Sequence, residues 1–232
     1  MKRRVLLAGA GVLVVVLVAC AGLYVLMNAR GFQLAGKLVN RVETAEKLVA
    51  LTIDDGPTER TPAILDVLAA QQVPATFYLV GRDLDAQPDY GRAIMAGGHE
   101  IGNHSYTHRR LVFVSPATVR AEVERTDAAI ARIGYRGRVT FRPPYGKKLL
   151  ALPSYLADHD RTTVMWDVEP DSTGGASTER IVADTLDEAR PGSIILLHAM
   201  YQPASLAAIA PIVSGLRARG YQFVTVSHLM RH

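Results

Sequence analysis

Seven short β-rich runs, each followed by a longer helix-like stretch, constrain this chain more than any other feature of its sequence. The runs fall at 48–53, 75–80, 99–103, 139–142, 162–167, 193–197 and 222–226. Strands alternating with helices predict a parallel sheet, because parallel neighbours need a crossover connection and a helix supplies it. The expected architecture is α/β, a closed or nearly closed (β/α)7-type barrel. The polar residues then gather in one place. Asp54 and Asp55 follow the first run, Asn103 and His104 the third, Arg142 the fourth, Asp167 to Asp171 the fifth, and His198 the sixth. These are C-terminal strand ends, which in a parallel barrel share one face, the face where active sites lie. A random scatter has no reason to choose the same end of five strands. The clearest helix is 116–133, with Ser115 as N-cap and Pro116 at its first position. Val119, Val123, Thr126, Ile130 and Ile133 lie along one face, and Gly134 stops it.

At 232 residues and 49% apolar content the chain can bury one substantial core, so one catalytic domain is expected over 48–232. Lys and Arg number 26 against 22 Asp and Glu, and the charges are scattered, so nucleic acid is not expected as a partner. The N-terminus departs from this pattern. Lys2, Arg3 and Arg4 precede an uncharged run over 5–27, long enough at about 1.5 Å per residue to cross a hydrocarbon core of roughly 30 Å as a helix. We therefore expect residues 1–30 to be a basic cytoplasmic tail and membrane anchor or signal segment, and 31–47 a juxtamembrane linker. The catalytic domain then lies outside the membrane of a single-pass protein. Cys20, the only cysteine, ends Leu17-Val-Ala-Cys20, which resembles the lipobox of bacterial lipoproteins. A lipoprotein anchored through Cys20 and a secreted protein are the alternatives.

His104 and His108 lie four apart, and with Asp55 they offer two imidazoles and a carboxylate to one divalent ion. Zinc is the first expectation, with cobalt, nickel and manganese as the other candidates. Asp54 and Asp55, being adjacent on a strand, cannot point the same way, so one can bind metal while the other faces another part of the cavity. Three protein ligands leave a position for water, which the ion acidifies and a nearby carboxylate can deprotonate. Plainer roles compete at each residue. Asp55-Gly56 also suits a turn, Arg142 could solvate the rim, and Leu197 and His198 could be structural residues at the end of a strand.

Thr52-Ile-Asp-Asp-Gly-Pro57, His104-Ser-Tyr-Thr-His108, Arg142-Pro-Pro-Tyr-Gly146, Trp166-Asp-Val-Glu-Pro-Asp171 and Ile195-Leu-Leu-His198 together resemble the ordered motifs of the polysaccharide deacetylase family with the NodB homology domain, carbohydrate esterase family 4. The resemblance implies a distorted (β/α) barrel that hydrolyses the N-acetyl group of an N-acetylglucosamine-containing glycan and releases acetate. It implies Asp54 as general base, with Asp55, His104 and His108 as metal ligands and Arg142 holding Asp54 ionised. The backbone N–H of Tyr145 would stabilise the oxyanion, His198 would be the general acid partnered by Asp171, and Leu197 would line the acetyl pocket. The chain departs from the family pattern after Asp171, where Ser172 stands in place of a common Trp. Asp167 and Glu169 also compete with Asp171 for His198.

The primary expectation is a membrane-tethered N-deacetylase acting on peptidoglycan or a chitooligosaccharide; a monomer is assumed. An O-acetyl esterase on another polysaccharide shares the same oxyanion chemistry. A catalytically silent glycan-binding module is the alternative from a different class. A magnesium phosphotransferase is disfavoured, because Mg²⁺ prefers oxygen ligands and the sequence has no Gly-rich phosphate loop.

Overall fold

The structure, a computed structural model, describes residues 2–172 and 175–232, with side chains from residue 13 onward. Its elements in order are α1 (Lys2–Asn28), β1 (Leu38–Val39), β2 (Leu48–Asp54), α2 (Thr61–Gln71), β3 (Thr76–Leu79), α3 (Gly81–Ala86), α4 (Pro88–Ala96), β4 (Glu100–Asn103) and α5 (Pro116–Arg132). Then follow α6 (Ala151–Asp158), β5 (Thr163–Val164), α7 (Thr178–Glu188), β6 (Ile194–Leu197), α8 (Pro203–Ala218), β7 (Gln222–Val224) and α9 (Val226–Leu229).

Every pairing between these strands is parallel, as the alternation with helices requires. β2 lies at the centre: β6 runs along one side, and β3 and β7 share the other, β3 beside its C-terminal half and β7 beside its N-terminal half. Beyond β4 the sheet continues through single-residue bridges. Phe141 bridges Asn103 and Thr163, and Val168 bridges Ile195 back on β6. The fourth expected run, 139–142, is thus reduced to one bridging residue, which makes the ring irregular.

The pleat of β2 separates two cores. Val49, Leu51 and Ile53 pack outward with Ile64 and Leu68 of α2 and Ile209 and Ile212 of α8. Leu48 and Ala50 face inward with Tyr78, Trp166 and Leu196. Alternate residues of a strand share a face, so the inward row of β2 continues through Thr52 to Asp54 at its C-terminal end. The expected helix at 116–133 is present as α5. The Ser115 hydroxyl accepts from Thr118 N at 3.1 Å, and Val119, Val123, Thr126 and Ile130 are buried.

Residues 31–47, expected to be a linker, are built into the barrel. Leu38 and Val39 pair with Thr163 and Val164, and Val42 N donates to Gly192 O at 3.0 Å. A Cβ on Gly192 would lie 1.7 Å from Val42 O, so the close approach requires glycine there. A two-residue strand such as β1 has no periodicity to read, which is why this segment looks like a linker on paper.

The run over 5–27 forms most of α1, with Cys20 inside it. The expected membrane segment falls partly on 5–12, whose side chains lie outside the described residues. Among the described residues no helix is long and apolar enough to cross a membrane.

Candidate active site

The strand ends converge on a cleft of about 490 Å³ whose lining includes Asp54, Asp55, His104, His108, Tyr145 and His198. Asp55, His104 and His108 each direct one ligand atom into a group whose members all lie within 4.8 Å of one another. His108 Nε2 is 3.2 Å and His104 Nε2 3.8 Å from Asp55 Oδ1. Donors bound to one tetrahedral ion at about 2.1 Å lie roughly 3.4 Å apart, so the spacing fits a single divalent ion. His104 Nδ1 is 2.7 Å from the carbonyl oxygen of Arg142. A carbonyl only accepts, so Nδ1 carries a proton, which leaves Nε2 as the nitrogen that would face a metal. Burial, then the adjacent His104, hold His108 below the ordinary imidazole range against the opposing pull of Asp55. This too favours the neutral, ligating form.

The backbone here is unusual. Of the seven non-glycine residues at positive φ among those described, Asp55, Ser105, His108 and Tyr145 belong to this site. Such conformations cost on the order of 1–3 kcal/mol each and persist only where surrounding structure imposes them. For the histidine loop that structure is Glu122, buried on α5. Its carboxylate accepts from Tyr106 N at 2.9 Å, Thr107 N at 2.8 Å and Thr107 Oγ1 at 2.7 Å. The sequence held a signal for it: Glu122 stands three residues after Val119 and four before Thr126, a charge inside a buried stripe.

Asp54 is the neighbour of this group. Its Oδ1 accepts from Arg142 Nη1 at 2.7 Å, and its Oδ2 lies 3.6 Å from His104 Nε2. Arg142 is fully buried rather than exposed at the rim. The same Nη1 donates to Thr52 Oγ1 at 2.7 Å and Nη2 to Met165 O at 3.1 Å, and the guanidinium carbon lies 4.1 Å from the Tyr78 ring centre. A buried charge requires this degree of pairing.

Across the cleft, Asp171 is the partner of His198. Asp171 Oδ1 lies 2.9 Å from His198 Nδ1, while Oδ2 accepts from His198 N at 2.7 Å and Ser205 Oγ at 2.6 Å. Burial opposes the charged form of His198, but the hydrogen bond and charge of Asp171, with Asp54 and Asp55 behind it, outweigh burial and push it up to about 9. The competing acids are engaged elsewhere. Asp167 accepts from Ser193 Oγ and Ile194 N, both at 2.8 Å. Glu169 accepts from Trp166 Nε1 at 2.9 Å and pairs with Arg30.

One expected residue is displaced. Leu197 does not line the cleft; it is buried in the outer core beside Leu51 and Ile53. Leu196 lines the cleft instead. The reason is the two-residue period of a strand: the residue next to His198 faces away from it, and the residue two before shares its face. Tyr145 does reach the cleft and is exposed, with Arg110 over its ring.

Known proteins resemble this chain in sequence and in fold. The polysaccharide deacetylase family profile matches residues 41–164. A peptidoglycan-N-acetylglucosamine deacetylase of Bacillus cereus is 34% identical over 187 residues, covering 79% of this chain and 68% of the relative. A chitooligosaccharide deacetylase of a Bradyrhizobium species is 34% identical over 189 residues, covering 75% and 86%. Among solved structures, the wild-type pseudoenzyme BA3943 of Bacillus anthracis, of carbohydrate esterase family 4, superposes with a TM-score of 0.79 at 26% identity, covering 85% of this chain and 70% of that one. The inward-facing acids and histidines thus sit on a scaffold that has been seen before, and the chain belongs to the polysaccharide deacetylase family.

Proposed function

We propose that this chain is a divalent-metal-dependent hydrolase that removes N-acetyl groups from N-acetylglucosamine residues of a cell-envelope glycan, peptidoglycan or a chitooligosaccharide, and releases acetate. The observation that carries the reading is the pairing of two restrained groups around one ligand cluster: Asp54 held by Arg142 and His198 held by Asp171 line the same cleft as Asp55, His104 and His108. Asp55, His104 and His108 would hold a divalent ion, zinc by the chemistry of the donors, which when bound would acidify a water and polarise the substrate carbonyl. Asp54 accepts the proton of the attacking water. The backbone N–H of Tyr145 donates to the oxygen that gains charge. His198, protonated because Asp171 keeps it so, delivers a proton to the leaving amine. Leu196 packs against the acetyl methyl, the role that the family resemblance implied for Leu197.

We also propose that α1 anchors the enzyme in a membrane with the catalytic domain outside. Residues 13–25 of α1 are all exposed, including Leu13, Val15, Leu17 and Val25. An apolar helix surface of this kind needs a cover, and a bilayer supplies one. Membrane fractions washed with alkaline carbonate should retain the full chain.

The deciding experiment incubates the full chain, in detergent, with peptidoglycan, N-acetylchitooligosaccharides and an O-acetylated xylan, with and without chelator, and measures acetate. Release from the N-acetylated glycans that stops with chelator and returns with zinc is expected. Release from the xylan alone identifies an esterase, and glycan binding without any release identifies a silent module. Either result overturns the reading.

A further inference from the structure

Two residues that line the cleft, Asn28 and Arg30, come from the chain leaving α1 rather than from a strand end. They are fixed there by the segment that follows the Arg142-Pro-Pro-Tyr-Gly146 turn. Lys148 N donates to Met27 O at 3.2 Å, Lys148 Nζ donates to Ala29 O, and Lys147 Nζ donates to Asn28 Oδ1 at 2.5 Å. The Arg30 guanidinium lies 5.0 Å from the Trp166 ring centre and pairs with Glu169, whose carboxylate also accepts from Trp166 Nε1. Arg30, Glu169 and Trp166 therefore form one bonded group on the same cleft as Ser172, the position that lacks an aromatic wall.

The group has spare capacity. A guanidinium carries five N–H donors, and Arg30 donates to a single partner, Glu169, among the described residues. Its side chain is 48% exposed, so the remaining donors are open to a ligand. The pair with Glu169 offsets its charge, so the group suits neutral acceptors, the hydroxyl and acetamide oxygens of a sugar, better than it suits an anion.

We propose that residues 28–30 form a subsite of the cleft, in which Arg30 donates to the sugar unit flanking the one that loses its acetyl group. The proposal rests on the glycan reading above and deepens it: the chain at the end of α1, from Asn28 to Arg30, is also part of the substrate site. Asn28 and Glu169 act as positioning residues, one through Lys147 and the other through the guanidinium itself.

The test uses the full chain in detergent, with Arg30→Ala and Arg30→Lys variants and N-acetylchitooligosaccharides of one, three and five sugars. Loss of a charged hydrogen bond costs about a factor of ten in affinity. Arg30→Ala should therefore raise KM about tenfold on the longer substrates with kcat unchanged, leave the single sugar unaffected, and be partly restored by Arg30→Lys. Calorimetry of the five-sugar ligand on Asp54→Asn, with and without Arg30→Ala, should show the same tenfold change in Kd. Unchanged KM and Kd overturn the proposal. So does a fall in kcat accompanied by a lowered melting temperature, which marks Arg30 as structural. If the parent enzyme releases no acetate from any glycan, the proposed activity fails, while the calorimetry still decides the subsite.

Discussion

His108 and His198 line one cleft, yet they are held in opposite ways. His198 belongs to a saturated network: its ring and its backbone N–H both bond Asp171, which Ser205 also bonds. Among the described residues the His108 ring makes no hydrogen bond of this kind. It faces Asp55 and His104 across 3.2 Å and a ring spacing of 4.9 Å, on a loop whose backbone is clamped from behind by Glu122. The pKa directions follow, down for His108 and up to about 9 for His198. The acid side of the cleft is complete in protein groups alone. The proposed metal side brings together donors that a divalent cation would join, and Glu122 orders its loop from behind.

The sharpest break in this contrast is replacement of His104 and His108 together by Ala. Bound metal measured by elemental analysis should fall to background and acetate release should vanish, while the His198 ring titration followed by NMR stays raised. Metal retained at the parental level would remove the assignment. Asp54→Asn comes next. Loss of a general base costs roughly 10²–10⁴-fold in rate, and because Asp54 is not among the three clustered ligands, metal content should stay at the parental level. Loss of metal together with activity would place Asp54 on the metal side instead.

The legibility of the two sides differed for physical reasons. Asp55, His104 and His108 could be read because a ligand set is a matter of residue type at strand ends, and the alternation of strands with helices fixed which ends meet. Asp171 could be placed only by resemblance, since three acids within five residues are equivalent on paper, and the choice depends on Ser193 and Ile194 N taking Asp167 while Arg30 and Trp166 take Glu169. Leu197 was misplaced although the strand period already pointed to Leu196. Glu122 carries a signal of its own, a charge in a buried stripe. Asn28 and Arg30 carried none, because their place depends on how residues 31–47 fold back onto β5 and β6, and nothing in local composition encodes that path.

Asp171→Asn tests the acid side. A bound cation opposes the pull of Asp54 and Asp55, so the loaded enzyme should lose activity on the alkaline side with an apparent pKa somewhat below the value of about 9 found without it. The variant should move that limb toward 6.5, the ordinary histidine value, with a rate loss at pH 8 of roughly tenfold or more. The stability consequence has a definite sign. The folded protein binds this proton more tightly than the unfolded chain, so the contribution is complete below pH 6.5 and is lost as pH rises through about 9. Chelator-treated parent enzyme should therefore show a lower melting temperature at pH 10 than at pH 6, with a smaller difference in the variant. An unshifted limb would mean that Asp171 does not set the titration of His198.

Glu122→Gln probes the metal side at one remove and should give the smallest effect. The neutral amide oxygen accepts the Tyr106 N–H and Thr107 N–H more weakly than the charged oxygen it replaces, and its NH₂ meets Thr107 Oγ1 only if the hydroxyl turns round to accept, so the clamp loosens without losing its shape. None of these groups binds metal, and the ligands themselves remain. Loss of an outer partner of a metal site typically weakens affinity 10–100-fold, and the lower figure applies because His104 keeps its own bond to Arg142 O. Competition with a chromophoric chelator should show zinc affinity reduced about tenfold, and saturating zinc should restore most of kcat. Weakened zinc affinity with an unchanged His198 titration would establish that the two sides are supported independently. Unaltered affinity would show that the positive-φ geometry of Ser105 and His108 holds without Glu122, and the contrast drawn between the two sides of the cleft would then be too strong.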